Sequence, residues 1–210
     1  MLETPSIFKY SSREQSRGSE NLGMRTISRK DSQNQCYNGR MNTPPSLGWY
    51  LSGFSDGEGS FNVSLRQRPD HKLQWQVVLT FNVAQRDVSN LLLLKKYLEC
   101  GRLQKRSDGV HYLIVTNYID LVEKVFPFFE RFPFQSESKI RNFKLFKQIT
   151  VIVYSGEHLT RTGFMKIVEL RERLNEGKGR KRKYEKDDVV KDFERILRDY
   201  TSDSAKAEMI

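Results

Sequence analysis

Residues 47 to 61, LGWYLSGFSDGEGSF, constrain the chain most, because they place two carboxylates where a helix does not usually keep them. Leu47, Leu51 and Phe54 recur at i, i+4 and i+7, which predicts a helix with one apolar face, opened by Ser46 as N-cap and ending near Gly57 and Gly59. Asp56 and Glu58 then fall at the C-terminal end, where the macrodipole disfavours each exposed negative charge by about 0.3 to 1 kcal/mol. A broken local rule of this kind is a mark of functional sites. Gly53 and Gly57 share one face of the helix. Each costs about 1 kcal/mol against alanine, and together they would let another backbone come close.

From Phe61 the apolar period drops to two. Phe61, Val63 and Leu65 alternate with Asn62, Ser64, Arg66 and Arg68; a turn follows at Pro69, Asp70 and His71. Leu73 to Val83 repeats the pattern, with Trp75, Val77, Leu79, Phe81 and Val83 on one face and Gln74, Gln76, Thr80 and Asn82 on the other. Asp87 to Cys100 reads as a helix striped by Leu91, Leu94 and Leu98. Arg102 to Arg106 and Val110 to Thr116 form a second hairpin around Ser107, Asp108 and Gly109, with Arg102, Gln104 and Arg106 turned outward. Further helices are expected over Asn117 to Phe126, stopped by Pro127; over Ser138 to Tyr154, with Ile140, Phe143, Phe146 and Ile149 inward; and over Thr162 to Asn175. The order is αββαββα, an α+β class, across residues 46–175. Residues 1–45, rich in Ser, Arg, Asn and Gln, are expected to be a disordered extension, either an organellar presequence or sequence read through from an upstream exon. Residues 176–187 are expected to be a basic linker, and 188–210 a C-terminal helix and tail.

The charge says what the hairpins face. Lys and Arg number 36 against 26 Asp and Glu, a net +10 that calls for a polyanionic partner. Gln and Asn pair with adenine edges, Arg with guanine, and a two-stranded ribbon fits a major groove, so this polar face is expected to read double-stranded DNA. No run of 18 apolar residues exists, so no membrane partner is expected. Cys36 and Cys100 are too far apart for a zinc motif, and His71, His111 and His158 are scattered.

Leu51 to Gly59, LSGFSDGEG, closely resembles the nine-letter signature of the LAGLIDADG homing endonucleases, with a small residue at Ser52, glycines at Gly53, Gly57 and Gly59, and acids at Asp56 and Glu58. It departs from the name-giving letters at Ser52, Phe54, Ser55 and Gly57, and carries Glu58 where some members have aspartate. The resemblance implies an αββαββα fold whose curved antiparallel sheet straddles DNA. Because the motif occurs once, it also implies a homodimer whose motif helices meet through Ser52, Gly53, Phe54 and Gly57. Glu58 is then the acid at the metal site, with Gly57 and Asp56 as further candidates, although Asp56 is better read as a buttress of the helix end. Two carboxylates close to a two-fold axis repel, and Mg²⁺ or Mn²⁺ between them relieves this while activating water and stabilising the leaving oxygen.

By the same resemblance Gln85 positions the attacking water, and Lys139, at the start of the long helix, lies near the scissile phosphate. Arg86 is a substitute for that positive charge and a further DNA contact. The implied reaction is hydrolysis of both strands of a long, roughly palindromic DNA site by an intron-encoded organellar protein, chloroplast ahead of mitochondrion. Two other readings of the scaffold are an RNA maturase and a non-cleaving DNA-binding protein; an acid such as Glu58, which repels phosphate, has no evident use in the latter.

Overall fold

The computed structural model describes residues 43–70, 74–177 and 183–207. The N-terminal extension up to residue 42, the turn residue His71, Leu73 and the basic run over 178–182 lie outside the described residues.

Helix α1 (Pro45–Glu58) starts two residues earlier than expected: Pro44 occupies the N-cap position and Pro45 the first turn, so Ser46 is not the cap. A proline there gives up no helical hydrogen bond and has its φ already set. The helix stops where Gly59 turns extended, its N–H donating to the Ser55 carbonyl. Leu51 is fully buried, with Leu47 and Phe54 half-buried against the same core.

Strand β1 (Gly59–Gln67) follows without a loop and pairs antiparallel with β2 (Trp75–Gln85), Gly59 opposite Val83 and Arg66 opposite Gln76. Helix α2 (Ser89–Leu98) leads to β3 (Arg102–Lys105) and β4 (His111–Val115), and the four antiparallel strands lie in the order β1-β2-β4-β3. Strict parity splits the sheet. Phe61, Val63, Leu65, Leu79, Phe81, Val83, Leu113 and Val115 are buried, and the even-numbered positions face the other way.

The helical stop expected at Pro127 does not occur. Helix α3 (Tyr118–Asp120), a π-helical turn over Leu121–Val125 and α4 (Phe126–Arg131) run on through the proline. The wide turn, in which the Phe126 N–H donates to the Leu121 carbonyl, makes room for the ring and leaves Pro127 in the first turn of α4, where no N–H is required.

Helices α5 (Glu137–Tyr154) and α6 (Arg161–Arg173) complete the main core, in which Phe61, Phe81, Phe126, Phe129, Phe134 and Phe146 meet. Helix α7 (Lys186–Ala207) docks on the domain through Val189, Phe193 and Ile196. On the free edge of β1 the carbonyls of Gly59, Phe61 and Val63 accept from Lys139 Nζ, Asn175 Nδ2 and Arg171 Nε, which closes that edge to a further strand.

Candidate functional site

Four chain segments converge where α1 ends: Asp56 and Glu58, the first residue of β1, the last residues of β2, and the first turn of α5. Asp56 fastens α1 to α5. Its Oδ2 accepts the N–H groups of Gln135 and Ser136, both at 2.9 Å, and its Oδ1 accepts the Ser136 hydroxyl. Partial burial works against the charged carboxyl, but the Ser136 hydroxyl, the two N–H groups and the nearby Lys139 outweigh it and hold its pKa below the ordinary value. With both oxygens engaged by the start of α5, Asp56 ties the end of α1 to the beginning of that helix.

Glu58, one turn-end further, is exposed and accepts no hydrogen bond among the described residues. Lys139, in the first turn of α5, donates to the Gly59 carbonyl. Burial lowers its pKa, opposed by the Asp56 and Glu58 carboxylates, which places a half-buried ammonium within electrostatic reach of both acids. Gln85 lies two residues beyond Val83, the register partner of Gly59, and its Oε1 accepts the Arg86 N–H at 2.9 Å. Arg86 is exposed, and its carbonyl contacts the His111 ring nitrogen at 2.9 Å. Thus Glu58, Gln85 and Lys139, far apart in sequence, share one end of the sheet. Among the described residues no group of three or more His, Cys, Asp or Glu could hold a metal ion.

Replacing Asp56 by Ala should destabilise the chain by about 1 kcal/mol, the usual cost of removing an acceptor from a helix N-terminus. Because the folded pKa is depressed, this contribution is present in full above about pH 4 and fades as pH falls through the folded value. Urea unfolding of parent and variant should differ at pH 7 and converge under strong acid. An equal difference at both would mean that the charge of Asp56 does not hold α5.

The even-numbered face of the sheet carries Asn62, Ser64 and Arg66 from β1, Gln76, Thr80 and Asn82 from β2, and Arg102 and Gln104 from β3. Asn62 Nδ2 donates to Asn82 Oδ1 and Ser60 Oγ, both at 3.0 Å. Arg106, one residue past β3, places its guanidinium 4.1 Å from the centre of the Tyr112 ring. Two expected positions differ. Gln74 is not in the strand: it sits in a bend at φ 54°, its carbonyl accepting the Arg68 N–H at 2.8 Å. Arg68 is paired in two-pronged fashion with Asp70, at 2.9 and 2.8 Å. Ser60 and Tyr112 share the face and were not singled out from sequence; strand parity would have found both. Beside this face, where β2 runs past the end of β4, opens a cavity of about 560 Å³ lined in part by Arg66, Gln76, Arg102 and His158.

Among the described residues nothing covers the outer side of α1. Trp49 and Tyr50 are 48% and 52% exposed, and a Cβ built on Gly53 or Gly57 would meet nothing within 4 Å. Ser52 is not part of this stripe, because it is buried and its hydroxyl donates to the Phe132 carbonyl at 2.7 Å. Phe54 is half-buried against the chain's own core instead of lying on the open side.

A family model described as LAGLIDADG endonuclease matches residues 51–150. A probable intron-encoded endonuclease 2 from Neurospora crassa is 33% identical over 134 residues, covering 62% of this chain and 28% of that protein. The DNA endonuclease I-CeuI of Chlamydomonas moewusii is 31% identical over 115 residues, covering 52% and 53%. Among solved structures, an archaeal intron-encoded homing endonuclease, I-Vdi141I, complexed with DNA, superposes with a TM-score of 0.66 at 27% identity, covering 71% of this chain and 95% of that one. The homing endonuclease I-TnaI superposes with a TM-score of 0.59 at 30% identity, covering 76% and 99%. The chain spans only 28% and 26% of the length of the first two curated relatives.

Proposed function

The chain belongs to the LAGLIDADG endonuclease family, and from that premise we propose that it is a homing endonuclease that cuts both strands of a long, roughly palindromic DNA site as a homodimer. The observation that carries the reading is the pairing of a free acid with a bare helix. Glu58 accepts no hydrogen bond among the described residues, and it ends a helix whose outer stripe, Trp49, Tyr50, Gly53 and Gly57, is exposed. A second copy laid on that stripe would bring a second Glu58 beside the first.

An exposed carboxylate without competing hydrogen bonds fits a hard divalent cation, and two of them with phosphate oxygens would make up a donor set for it. When bound there, Mg²⁺ or Mn²⁺ would lower the pKa of water and stabilise charge on the leaving oxygen. The protein's own groups act around this. Lys139, kept close to Glu58 by its bond to the Gly59 carbonyl, offers a positive charge to the scissile phosphate. Gln85 offers a neutral amide to orient the attacking water. Asp56 holds α1 and α5 together so that Glu58 and Lys139 keep their separation. Asn62, Ser64, Arg66, Gln76, Thr80, Asn82, Arg102, Gln104 and Arg106 read the groove and adjoining phosphates. An organellar intron gene belongs to the same reading, which the intron-encoded relatives support.

If the reading frame lies in an intron, the joined exon sequence is the substrate to test. Purified protein with Mg²⁺ should cut that duplex in both strands, and EDTA should stop the cutting while leaving the complex intact. Binding to the host intron RNA with no metal-dependent cutting of DNA would favour the maturase instead.

A further inference from the structure

The β1–β2 hairpin runs past the rest of the sheet: β4 pairs with β2 only over Phe81–Gln85, so Trp75 to Thr80 have no strand on that side. A two-stranded ribbon by itself is marginal in water. This overhang nevertheless carries Arg66 opposite Gln76, the outermost groove-facing pair of the two strands. Leu79 and its partner Val63 still rest on the main core, but the outermost apolar residues of the ribbon do not. Leu65 and Trp75 join a second cluster with Phe164 and Val168 of α6 and Val189, Phe193 and Ile196 of α7. The Phe164 and Phe193 rings stack at 4.6 Å. The Trp75 indole N–H donates to Asp192 Oδ2 at 3.1 Å, and the Tyr184 hydroxyl donates to Gln67 Oε1 at 3.3 Å. Arg171, buried, donates from Nε to the Val63 carbonyl at 3.3 Å and from Nη2 to the Tyr184 carbonyl at 3.4 Å.

Every one of the apolar contacts lies on the face opposite Arg66 and Gln76. We infer that α6 and α7 form a strut that sets the height and angle of the overhanging hairpin, so that Asp192 and Phe193 are positioning residues for base readout at the outer end of each half-site. The strut shapes specificity without itself reading bases. The inference rests on the even-numbered face being the DNA surface. Asn82, by contrast, sits between Ser60 and Ile114 in the part of the sheet where β2 has a strand on both sides and should not depend on the strut.

The test compares parent, Phe193→Ala, the conservative Phe193→Leu and the milder Asp192→Ala, each as the full chain. A pool of randomised duplexes is used to select the parental site, and base preference is then measured position by position. Amide exchange is followed in parallel, without DNA. In Phe193→Ala, preference at the outer positions assigned to Arg66 and Gln76 should fall from about tenfold or more to within about twofold. Preference at the inner positions should hold, and Phe193→Leu should restore most of the outer preference. Amides of Leu65–Gln67 and Trp75–Val77 should lose protection while those around Asn82 keep it. If Phe193→Ala unfolds, Asp192→Ala should show the same pattern at smaller amplitude. A parent with no base preference anywhere would overturn the DNA reading, and this inference with it. A discriminating parent whose variants lose preference equally at all positions, or whose hairpin amides exchange at the parental rate, would overturn the strut alone.

Discussion

Glu58→Gln should bind DNA at least as tightly as the parent and fail to cut it. The substitution keeps the shape of an exposed side chain that has no hydrogen-bond partner among the described residues, so neither the fold nor the even-numbered face is disturbed. It removes one negative charge per copy from a place proposed to face phosphate, which favours binding. It also removes the carboxylate that ends α1 without a hydrogen bond among the described residues, whereas both oxygens of Asp56 are engaged by Gln135 and Ser136. Loss of a group that merely orients a metal ligand costs about 10- to 100-fold in affinity or activity, so loss of the ligand itself should exceed about 100-fold in cleavage rate. The measurement is single-turnover cutting in Mg²⁺ alongside a binding titration. Cutting at the parental rate would remove Glu58 from the site.

Gly53→Leu should separate the folding of one chain from the assembly of two. In the isolated chain a Cβ at Gly53 meets nothing within 4 Å, and a helix interior gains about 1 kcal/mol when glycine is replaced by a good helix former. Thermal stability should therefore stay level or rise. In a pair joined along the bare stripe of α1, the same side chain would be forced between two close backbones. Overpacking costs about 1 to 3 kcal/mol for each intrusion, and a two-fold axis applies it twice, so association should weaken by about 100-fold or more. Double-strand cutting should be lost with it. Sedimentation of parent and variant on DNA, read beside their melting curves, checks both halves. A variant that still sediments as a dimer on DNA and cuts both strands would place the second copy on some other surface.

Much of the fold was legible because alternation and helical period are local properties. Phe61, Val63 and Leu65 could face a core only if Asn62, Ser64 and Arg66 faced away from it, and the register of Arg66 against Gln76 and Asn62 against Thr80 follows from that parity plus a short turn. Where local rules misled, a neighbour in the chain or in space was the cause. Ser46 lost the cap to two prolines, and Pro127 was carried through by a π-turn whose widening periodicity does not register. Gln74 left its strand for a left-handed bend.

The division at the site is sharper. The sequence by itself determined that two acids end a helix carrying two glycines on one face, and that a basic chain presents an amide- and guanidinium-bearing sheet. The resemblance favoured Glu58 over Asp56, but the local pattern holds no physical reason for the choice. Asp56 and Glu58 are two residues apart with the same chemistry, and they part ways only because Gln135 and Ser136, 79 and 80 residues later, bring two N–H groups to one and nothing to the other. The same holds for Ser52, drawn inward by the Phe132 carbonyl, and for Lys139, drawn to Gly59 across 80 residues. Such contacts form only after distant elements are packed. A hydrogen bond to a charged group is worth about 1.5 to 3 kcal/mol, far more than the few tenths by which helix propensity ranks most side chains, so the packing decides which carboxylate remains available for chemistry.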